Sequence, residues 1–533
     1  MALIEPASPE RMESRILASD RSVVRMTPWL VFVGITTIVF VMSFSRAMNR
    51  SFSHDEHQFV TPAVLLVQGG LLPYRDYPYF HMPNQVYLYA ALTWWTPYKL
   101  LVARIIQVFC GTAVAVLLCA TGWRLLARMD PLGRCLTTGG LLLVLVSSRV
   151  FRYTDGLAWN HETSTLCALV ALLLHLRGLS GPRLTSLALS GLLLGCAIGI
   201  RVSFAPVAVP FLLSFWLSRS LVRRGQRLGG LLLCSLGMTV GVLPAIVPLA
   251  TLPSQFIFGI LGYQRLTALV HLKQVQITLL DRIVYFLHKF VDQSADAALL
   301  ILFLYCATFA AWRARAWSGP HRDAVLLTLG VLIVLVPSVL APTPPQLQYA
   351  YALLPFMVLV VVYVFASAPV QPAARWVRLT GAALIIVAAT DLPVTYQKLT
   401  SLLTPSHWIP MREHEVGERI RSATAPGALV LTTTPIQPIE GGLRVYPEFA
   451  TGAFAWRMAA FLPSKDRERY RMISAAELGE LLARRPPDAV FFNRRKEFVQ
   501  PFIDYAQTRG YRRVDDPISG GYVIWVRPEL HPP

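Results

Sequence analysis

Charge is scarce in this sequence. Only 15% of its 533 residues are charged, 54% are hydrophobic, and the mean hydropathy is +0.50. Soluble globular chains carry about 25% charged residues. The composition therefore excludes an ordinary soluble protein and predicts a chain embedded in a membrane.

Cysteine and the motifs built on it are scarce as well. All seven cysteines fall in apolar segments, and neither a C-x-x-C pair nor a His/Cys zinc spacing occurs. This pattern excludes a disulfide framework and a zinc-finger site, and it favours small buried thiols. A small-residue cleavage site of A-x-A type is also missing after the first apolar run, so we expect a retained anchor.

Long apolar runs are what the sequence has in abundance. A membrane-spanning helix needs about 20 mostly apolar residues. We predict about eleven spans, over 28–48, 100–124, 135–150, 162–177, 184–200, 205–218, 229–250, 297–312, 324–341, 350–367 and 379–396. The aromatic run 83–96 is too short to span and predicts an interfacial helix, as does the amphipathic segment 275–291.

Arginine clusters predict the orientation of these spans, because Lys and Arg collect on the cytoplasmic side of short loops. With the N-terminus inside, the even-numbered connections also face the cytoplasm. The net charge of +19 then reflects topology, and it does not indicate nucleic-acid binding. The basic residues of these stretches are Arg11, Arg15, Arg21, Arg25, Arg124, Arg128, Arg134, Arg177, Arg183, Arg219, Arg223, Arg224, Arg227, Arg313, Arg315, Arg322, Arg375 and Arg378.

The predicted fold class is an all-α polytopic membrane domain followed by a C-terminal α/β domain. We expect a cytoplasmic tail over 1–27, the membrane domain over 28–397 and an extracytoplasmic domain over 398–533. In the last region the patterns predict helices over 412–424, 474–485 and 497–509, and strands over 428–434, 488–492 and 521–526. This region has no Gly-rich phosphate loop and no nucleophile elbow, so we expect acceptor recognition or a cover over the active site there.

The first outer loop, over 49–99, carries the candidate chemistry. Asp55 and Glu56 stand a few residues beyond the first span, and Thr61-Pro62 predicts the start of a helix that Gly69-Gly70 ends. Carboxylates at a membrane surface can act as a general base or hold a divalent cation. The alternative interpretation is a helix-capping Asp beside a solvated Glu.

This loop resembles the glycosyltransferase C (GT-C) superfamily, in its aminoarabinose-transferase and protein O-mannosyltransferase branch. The likeness lies in the Asp55-Glu56 pair and in a following Gly/Pro/aromatic segment and Tyr-containing helix. It extends to a small-then-basic turn at Gly199-Ile200-Arg201. The segments of likeness after the acidic pair are Gly69–Asp76, Pro83–Tyr87 and Tyr349–Pro355.

The resemblance implies roles for several residues. Asp55 would be the catalytic base and Glu56 would support it or bind a metal, with a polyprenyl-phosphate sugar as donor. This branch typically has Glu-Lys-Pro where the sequence reads His81-Met82-Pro83. His81 would then be a metal ligand, and another cation must take the donor phosphate.

Arg75 and Arg201 are the candidates for that phosphate-binding cation, since a guanidinium can bind a phosphate through two hydrogen bonds. The alternatives are interfacial snorkelling for Arg75 and a helix-end charge for Arg201. Three tyrosines are candidate donor contacts, although such residues also form the ordinary aromatic belt. They are Tyr74, Tyr349 and Tyr351.

A second polar cluster opens the fourth span. It contains Asp155 and the run Asn160-His161-Glu162, and Glu162 is a candidate metal ligand by its placement. A helix N-terminus that favours an Asn cap and a nearby Glu explains the same residues without a metal. In the loop over 251–296, His271 or His288 could complete a metal site with His81.

Together these features predict an inverting glycosyltransferase in a bacterial inner membrane. It would move a monosaccharide from a polyprenyl-phosphate donor to a hydroxyl of a lipid, glycan or protein, with a divalent cation as possible cofactor. Two other classes stay open. A transporter or lipid flippase would place ionisable groups near the bilayer midplane. A scaffold would tolerate the loss of Asp55 and Glu56.

Overall fold

A computed structural model describes residues 32–181, 183–218, 224–313, 316–317, 319–367, 373–390, 399–493, 497–514 and 521–528. Several predictions concern residues outside these ranges. They are the cytoplasmic tail over 1–27, the junction of the two domains near 397, and the positions of Arg219, Arg223 and Arg315.

Between residues 32 and 390, the described residues are helical wherever they are regular, apart from one isolated β-bridge. Each predicted span overlaps a helix, namely α1, α4, α5, α7–α10 and α14–α17. Within the described ranges, seven helices are long and apolar enough to cross a membrane, and three shorter apolar helices accompany them. The helices are α1 (Phe32–Asn49), α2 (His57–Gly69), α3 (Asn84–Thr93), α4 (Lys99–Leu125), α5 (Pro131–Ser147), α6 (Arg149–Thr154), α7 (His161–Leu179), α8 (Leu184–Ile200), α9 (Ala208–Leu217), α10 (Arg224–Thr251), α11 (Pro253–Ile257), α12 (Tyr263–Gln274), α13 (Leu279–Val291), α14 (Ser294–Arg313), α15 (Gly319–Leu340), α16 (Leu354–Ser367) and α17 (Ala373–Ala389).

Glycines bring helices α8 and α10 together at backbone distance. A Cβ atom on Gly191 would lie 1.9 Å from the carbonyl oxygen of Cys234, and one on Gly195 would lie 2.2 Å from that of Met238. Any side chain at either position would push the two helices apart. Small residues at helix interfaces are typical of membrane bundles, where close packing replaces a hydrophobic driving force.

The C-terminal domain contains the predicted α/β elements. Its helices are α18 (Ile409–Ser422), α19 (Ile436–Glu440), α20 (Ala453–Ala459), α21 (Ser464–Arg469), α22 (Ala475–Arg484) and α23 (Gln500–Thr508). Its strands are β1 (Leu429–Leu431), β2 (Arg444–Val445), β3 (Ala489–Asn493), β4 (Arg512–Val514) and β5 (Tyr522–Val526). The three predicted strands and three predicted helices are confirmed, and β2, β4, α19, α20 and α21 are additional.

The five strands form one mixed sheet in the order β2-β1-β3-β5-β4. Strand β1 runs parallel to β2 and β3, and β5 runs antiparallel to β3 and β4. Strand β3 in the middle is buried with residues such as Val490 and Phe491, which are fully inaccessible to solvent. The capping box predicted at the start of α22 is present, because Ser474 N–H donates to Glu477 Oε2 at 3.0 Å.

Contacts tie the C-terminal domain to the same end of the bundle as the first loop. Glu440 Oε1 accepts the N–H of Leu100, in the first turn of α4, at 2.6 Å, and its Oε2 meets His414 Nδ1 at 2.8 Å. Burial raises the pKa of the Glu440 carboxyl above its ordinary value. The domain therefore supplies a cap to a helix of the membrane domain.

Candidate active site

A short 3-10 turn over His54–Glu56 presents the two neighbouring acids. Ser53 caps this turn: its hydroxyl accepts the Asp55 N–H at 3.4 Å, while its own N–H donates to Glu56 Oε2 at 2.9 Å. Helix α2 then begins at His57, so the predicted helix start at Thr61-Pro62 is wrong. Both residues lie inside α2, because the reciprocal cap at Ser53 and Glu56 starts helical structure earlier.

Glu56 is fully buried and bound on both oxygens. Arg104 of α4 meets it with two parallel hydrogen bonds, Nε to Oε1 at 2.8 Å and Nη2 to Oε2 at 2.7 Å. The Ala158 N–H adds a third bond, at 3.0 Å to Oε1. Such a carboxylate is held in place and has no oxygen directed toward a substrate, which does not suit the predicted roles of catalytic residue or metal ligand.

Asp55 has other neighbours than Glu56 does, and it is only partly buried. Burial removes water from its carboxylate and raises its pKa to about 6. The positive charge of Arg457 opposes this rise. The neighbouring Glu56 raises the pKa further, and a hydrogen bond from the Gln58 side chain lowers it. A carboxylate with this pKa is ionised at pH 7 and is a stronger base than an ordinary aspartate.

His81 is linked to Asp55 through the same glutamine. Its Nε2–H donates to Gln58 Oε1 at 3.0 Å, and its ring packs against Phe59. Burial, together with the charge of Arg201, lowers the pKa of His81 to about 3, so the imidazole is neutral. Tyr74 is buried and donates its hydroxyl to the His81 carbonyl oxygen, so it fixes the loop rather than facing a ligand.

Arg201 stands at the end of α8, and its charge acts on His81 of this group. Its Nη1 donates to His161 Nε2 at 2.8 Å, and its guanidinium lies 5.7 Å from the ring centre of Tyr349. Tyr349 in turn interacts electrostatically with both Arg201 and Asp55. No ion pair of the described residues includes Arg201, so its charge is available for an anionic ligand.

Arg75, the other predicted phosphate-binding residue, lies apart from this cluster. Its side chain is 52% exposed and pairs with Asp76 at 2.8 Å. The structure therefore brings Asp55, His81, Arg201 and Tyr349 together and leaves Arg75 on the surface.

The second acidic cluster lies in the interior of the bundle. Asp155 pairs with Arg46 at 2.6 Å, and Glu162 Oε1 accepts the Gly156 N–H at 2.9 Å. Three buried oxygens of residues that lie around Gly111 have no hydrogen-bond partner among the described residues. They are Asp155 Oδ1, Glu162 Oε2 and the Tyr351 hydroxyl.

The sequence matches no protein-family model and no curated protein. Two crystal structures are similar, both of ArnT from Cupriavidus metallidurans. The one bound to undecaprenyl phosphate is 13% identical, with a TM-score of 0.60, and the alignment covers 95% of this chain and 99% of that one. The apo structure is 13% identical, with a TM-score of 0.59 and coverage of 96% and 100%. The chain has the GT-C fold.

The metal site implied by the GT-C resemblance does not assemble from the predicted ligands. Glu56 is saturated by Arg104 and backbone N–H groups, and Glu162 is buried against Gly156. His81 directs its Nε2 to Gln58. The described residues contain no group of three or more His, Cys, Asp and Glu placed to hold a metal ion. We therefore derive no step through a metal.

Three residues of this candidate site were not predicted from the sequence. Arg104 did carry a signal, because an arginine within an apolar span is costly unless it has a partner. Gln58 carried none, since a polar residue in a loop needs no partner. Arg457 lies 402 positions from Asp55 in the chain, and only the tertiary fold relates the two.

Proposed function

We propose that this protein is an inverting glycosyltransferase that moves a sugar from a polyprenyl-phosphate donor to an acceptor hydroxyl. The likeness to ArnT supports the fold, and the lipid bound in one of those two crystal structures is undecaprenyl phosphate. The observation that carries the proposal is that one site contains both a base and a cation. The cation has no ion-pair partner among the described residues. Asp55 is the base, and Arg201 is the cation, with Tyr349 between their charges.

Asp55 accepts the proton of the acceptor hydroxyl while that oxygen attacks the anomeric carbon of the donor sugar. The new carbon–oxygen bond forms on the face opposite the lipid phosphate. The old bond breaks, and its electron pair leaves with the phosphate oxygen. A single displacement of this kind inverts the anomeric configuration.

Arg201 stabilises the leaving phosphate, because the departing oxygen gains negative charge as the bond breaks. Its guanidinium is held by Asn160 and His161, whose side chains accept hydrogen bonds but carry no negative charge in this arrangement. The positive charge is thus positioned without being neutralised. His81 and Gln58 keep the Asp55 side chain in one orientation.

The predicted topology would put this site at the outer face of a bacterial inner membrane, with the N-terminus in the cytoplasm and the C-terminal domain periplasmic. Donor and acceptor would then meet on the periplasmic side. The acceptor belongs to one of three classes, a lipid, a glycan or a protein, and each supplies a hydroxyl of the kind that Asp55 can deprotonate.

The test is sugar transfer in membranes that contain the protein, with a panel of labelled polyprenyl-phosphate sugars. We expect one donor to be consumed, and Asp55→Asn to lower the rate by about 10²- to 10⁴-fold, the usual contribution of a general base. Asp76→Asn, which removes a partly buried carboxylate of the same loop that pairs with the exposed Arg75, is the matched control. Near-normal turnover by Asp55→Asn would refute the assignment, and parallel assays with a chelator test the divalent cation that the resemblance implies.

A further inference from the structure

Helix α20 of the C-terminal domain lies directly against the loop that carries Asp55. A Cβ atom on Gly452, which precedes this helix, would lie 3.1 Å from Cδ2 of His57. The Tyr263 hydroxyl of α12 donates to the Phe454 carbonyl oxygen at 3.1 Å. The first turn of α20 is thus in contact with the membrane domain on two sides.

Two aromatic stacks hold this arrangement. The rings of Phe80 and Tyr263 stack at 3.6 Å between centroids, and those of Phe258 and Tyr470 stack at 3.8 Å. Phe80 comes from the first loop, and Tyr470 comes from the segment after α21. Because the stacks join three separate parts of the chain, the position of α20 relative to Asp55 is fixed by packing.

Arg457 lies in the last turn of α20, and its side chain turns back toward the start of that helix. Its Nε donates to the Ala453 carbonyl oxygen at 3.3 Å, and its guanidinium lies over the rings of Phe454 and Phe498 at 5.0 and 5.7 Å. Its charge is the largest influence that opposes the pKa rise of Asp55. These contacts orient the side chain but supply no negative charge.

Arg457 and Asp55 do not form an ion pair with each other. The ion pairs of the described residues, defined by a nitrogen–oxygen distance of 4.0 Å or less, do not include Arg457. The two charges therefore act on each other at a nitrogen–oxygen distance of more than 4.0 Å. A cation at this range from the proposed base is near enough to meet a group of an acceptor whose hydroxyl is at Asp55.

The surrounding part of the C-terminal domain is also basic. Between Ala453 and Arg471 the only acids are Asp466 and Glu468, and the cations outnumber them. Partial burial opposes a lowered pKa for Asp76 of the first loop, but the hydrogen bonds from Arg75 and from the Leu72 N–H, with a smaller contribution from the charge of Arg471, hold this pKa below its ordinary value. The cations of this segment are Arg457, Lys465, Arg467, Arg469 and Arg471.

We infer that Arg457 binds the acceptor, and that the acceptor carries an anionic group, a phosphate or a carboxylate, near the hydroxyl that Asp55 deprotonates. This inference rests on the proposed function. Arg457 would bind the anion while Asp55 takes the proton, so the C-terminal domain selects the acceptor. With a neutral acceptor, Arg457 would lose the counter-charge of Asp55 at the step in which that carboxylate takes up the proton.

The experiment uses native membranes, which contain the natural acceptor, and the labelled donor identified by the panel. The labelled product is separated by anion-exchange chromatography, before and after alkaline phosphatase. An anionic product supports the inference, and loss of charge after phosphatase assigns a phosphate monoester, whereas retained charge is expected of a carboxylate or a phosphodiester. An electrically neutral product overturns the inference. Absence of any transfer by the wild type would instead refute the proposed function.

Variants of the arginine give a second, independent measurement. Arg457→Met is expected to lower product formation at saturating donor by about 10- to 100-fold, the effect of losing one charge-assisted hydrogen bond. The donor KM is expected to stay within about twofold, and Arg457→Lys should recover part of the rate. Arg444→Met, an exposed arginine of the same domain bound only to Gly427, is the control for folding. Unchanged transfer by Arg457→Met, or an equal rise in donor KM, would overturn the assignment.

Discussion

The two adjacent acids of the first loop are expected to respond differently when each is made neutral. One variant should lose stability, and the other should lose activity. Glu56→Gln leaves Arg104 buried beside a neutral amide, whereas both side chains are fully inaccessible to solvent in the native pair. Breaking a buried ion pair by removing one partner costs about 3–5 kcal/mol. That is a large fraction of a net stability of about 5–15 kcal/mol.

Asp55→Asn is expected to leave stability unchanged or slightly higher. Burial raises the pKa of Asp55 to about 6, so above its ordinary pKa the charged form disfavours the folded state. Replacement by asparagine removes that cost but also removes the base. The expected pattern is therefore a stable, inactive Asp55→Asn and an unstable Glu56→Gln.

Thermal unfolding in detergent, followed by size-exclusion chromatography, measures the difference. An unfolding entropy of about 2.1 cal/mol/K per residue means that a loss of about 3–5 kcal/mol lowers the apparent Tm of a 533-residue chain by about 3–5 °C, which is the shift that we expect for Glu56→Gln. Asp76→Asn, in a partly exposed pair worth about 0–1 kcal/mol, should unfold like the wild type. The double variant Glu56→Gln/Arg104→Met should lose less than Glu56→Gln alone, because neither charge is then left unpaired. A Glu56→Gln protein as stable as the wild type but inactive would refute this reasoning and move the chemistry to Glu56.

Three further predictions follow from the same geometry. The kcat/KM for sugar transfer should fall tenfold per pH unit below about pH 6, because protonated Asp55 cannot act as a base; a pH–rate profile with no acidic limb near this value contradicts the assignment. Arg201→Met should lower kcat/KM for the donor by about 10- to 100-fold, with partial activity in Arg201→Lys, and equal activity of all three proteins would remove Arg201 from the phosphate site. Gly191→Ala should unfold at a lower temperature because its Cβ would lie 1.9 Å from the Cys234 carbonyl oxygen, whereas Gly139→Ala, with nothing within 4 Å, should gain up to about 1 kcal/mol from helix propensity.

The helices and strands could be predicted because their signals are local. Each span is a long apolar run, and strands β1, β3 and β5 are short apolar runs bounded by Gly or Pro. Strand β2, with only Arg444 and Val445, is too short to produce such a pattern. Its place in the sheet follows from pairing with β1, which no local pattern in the sequence predicts.

The site could be predicted only in part, because hydrogen-bond partners distant in the chain decide the role of each acid. Asp55 and Glu56 are equivalent in sequence, and the resemblance pointed to both. Arg104 separates them by binding one and leaving the other. Arg75 and Arg201 were also equal candidates from the sequence, and the structure separates them. Arg75 pairs with its chain neighbour Asp76 at the surface, whereas Arg201 lies against His161, 40 residues away in the chain.

The carboxylate of Glu440 at the start of α4 means that the two domains cannot be exchanged as independent modules. The helix that it caps carries Arg104 four residues after Leu100, and Arg104 in turn holds the turn that presents Asp55. A chimaera that joins this bundle to the C-terminal domain of another protein needs an acceptor at the position of Glu440. Without that acceptor, the foreign domain would disturb the base even if the domain binds the right acceptor substrate. Inactivity of such a chimaera would therefore not by itself show which acceptor substrate is selected.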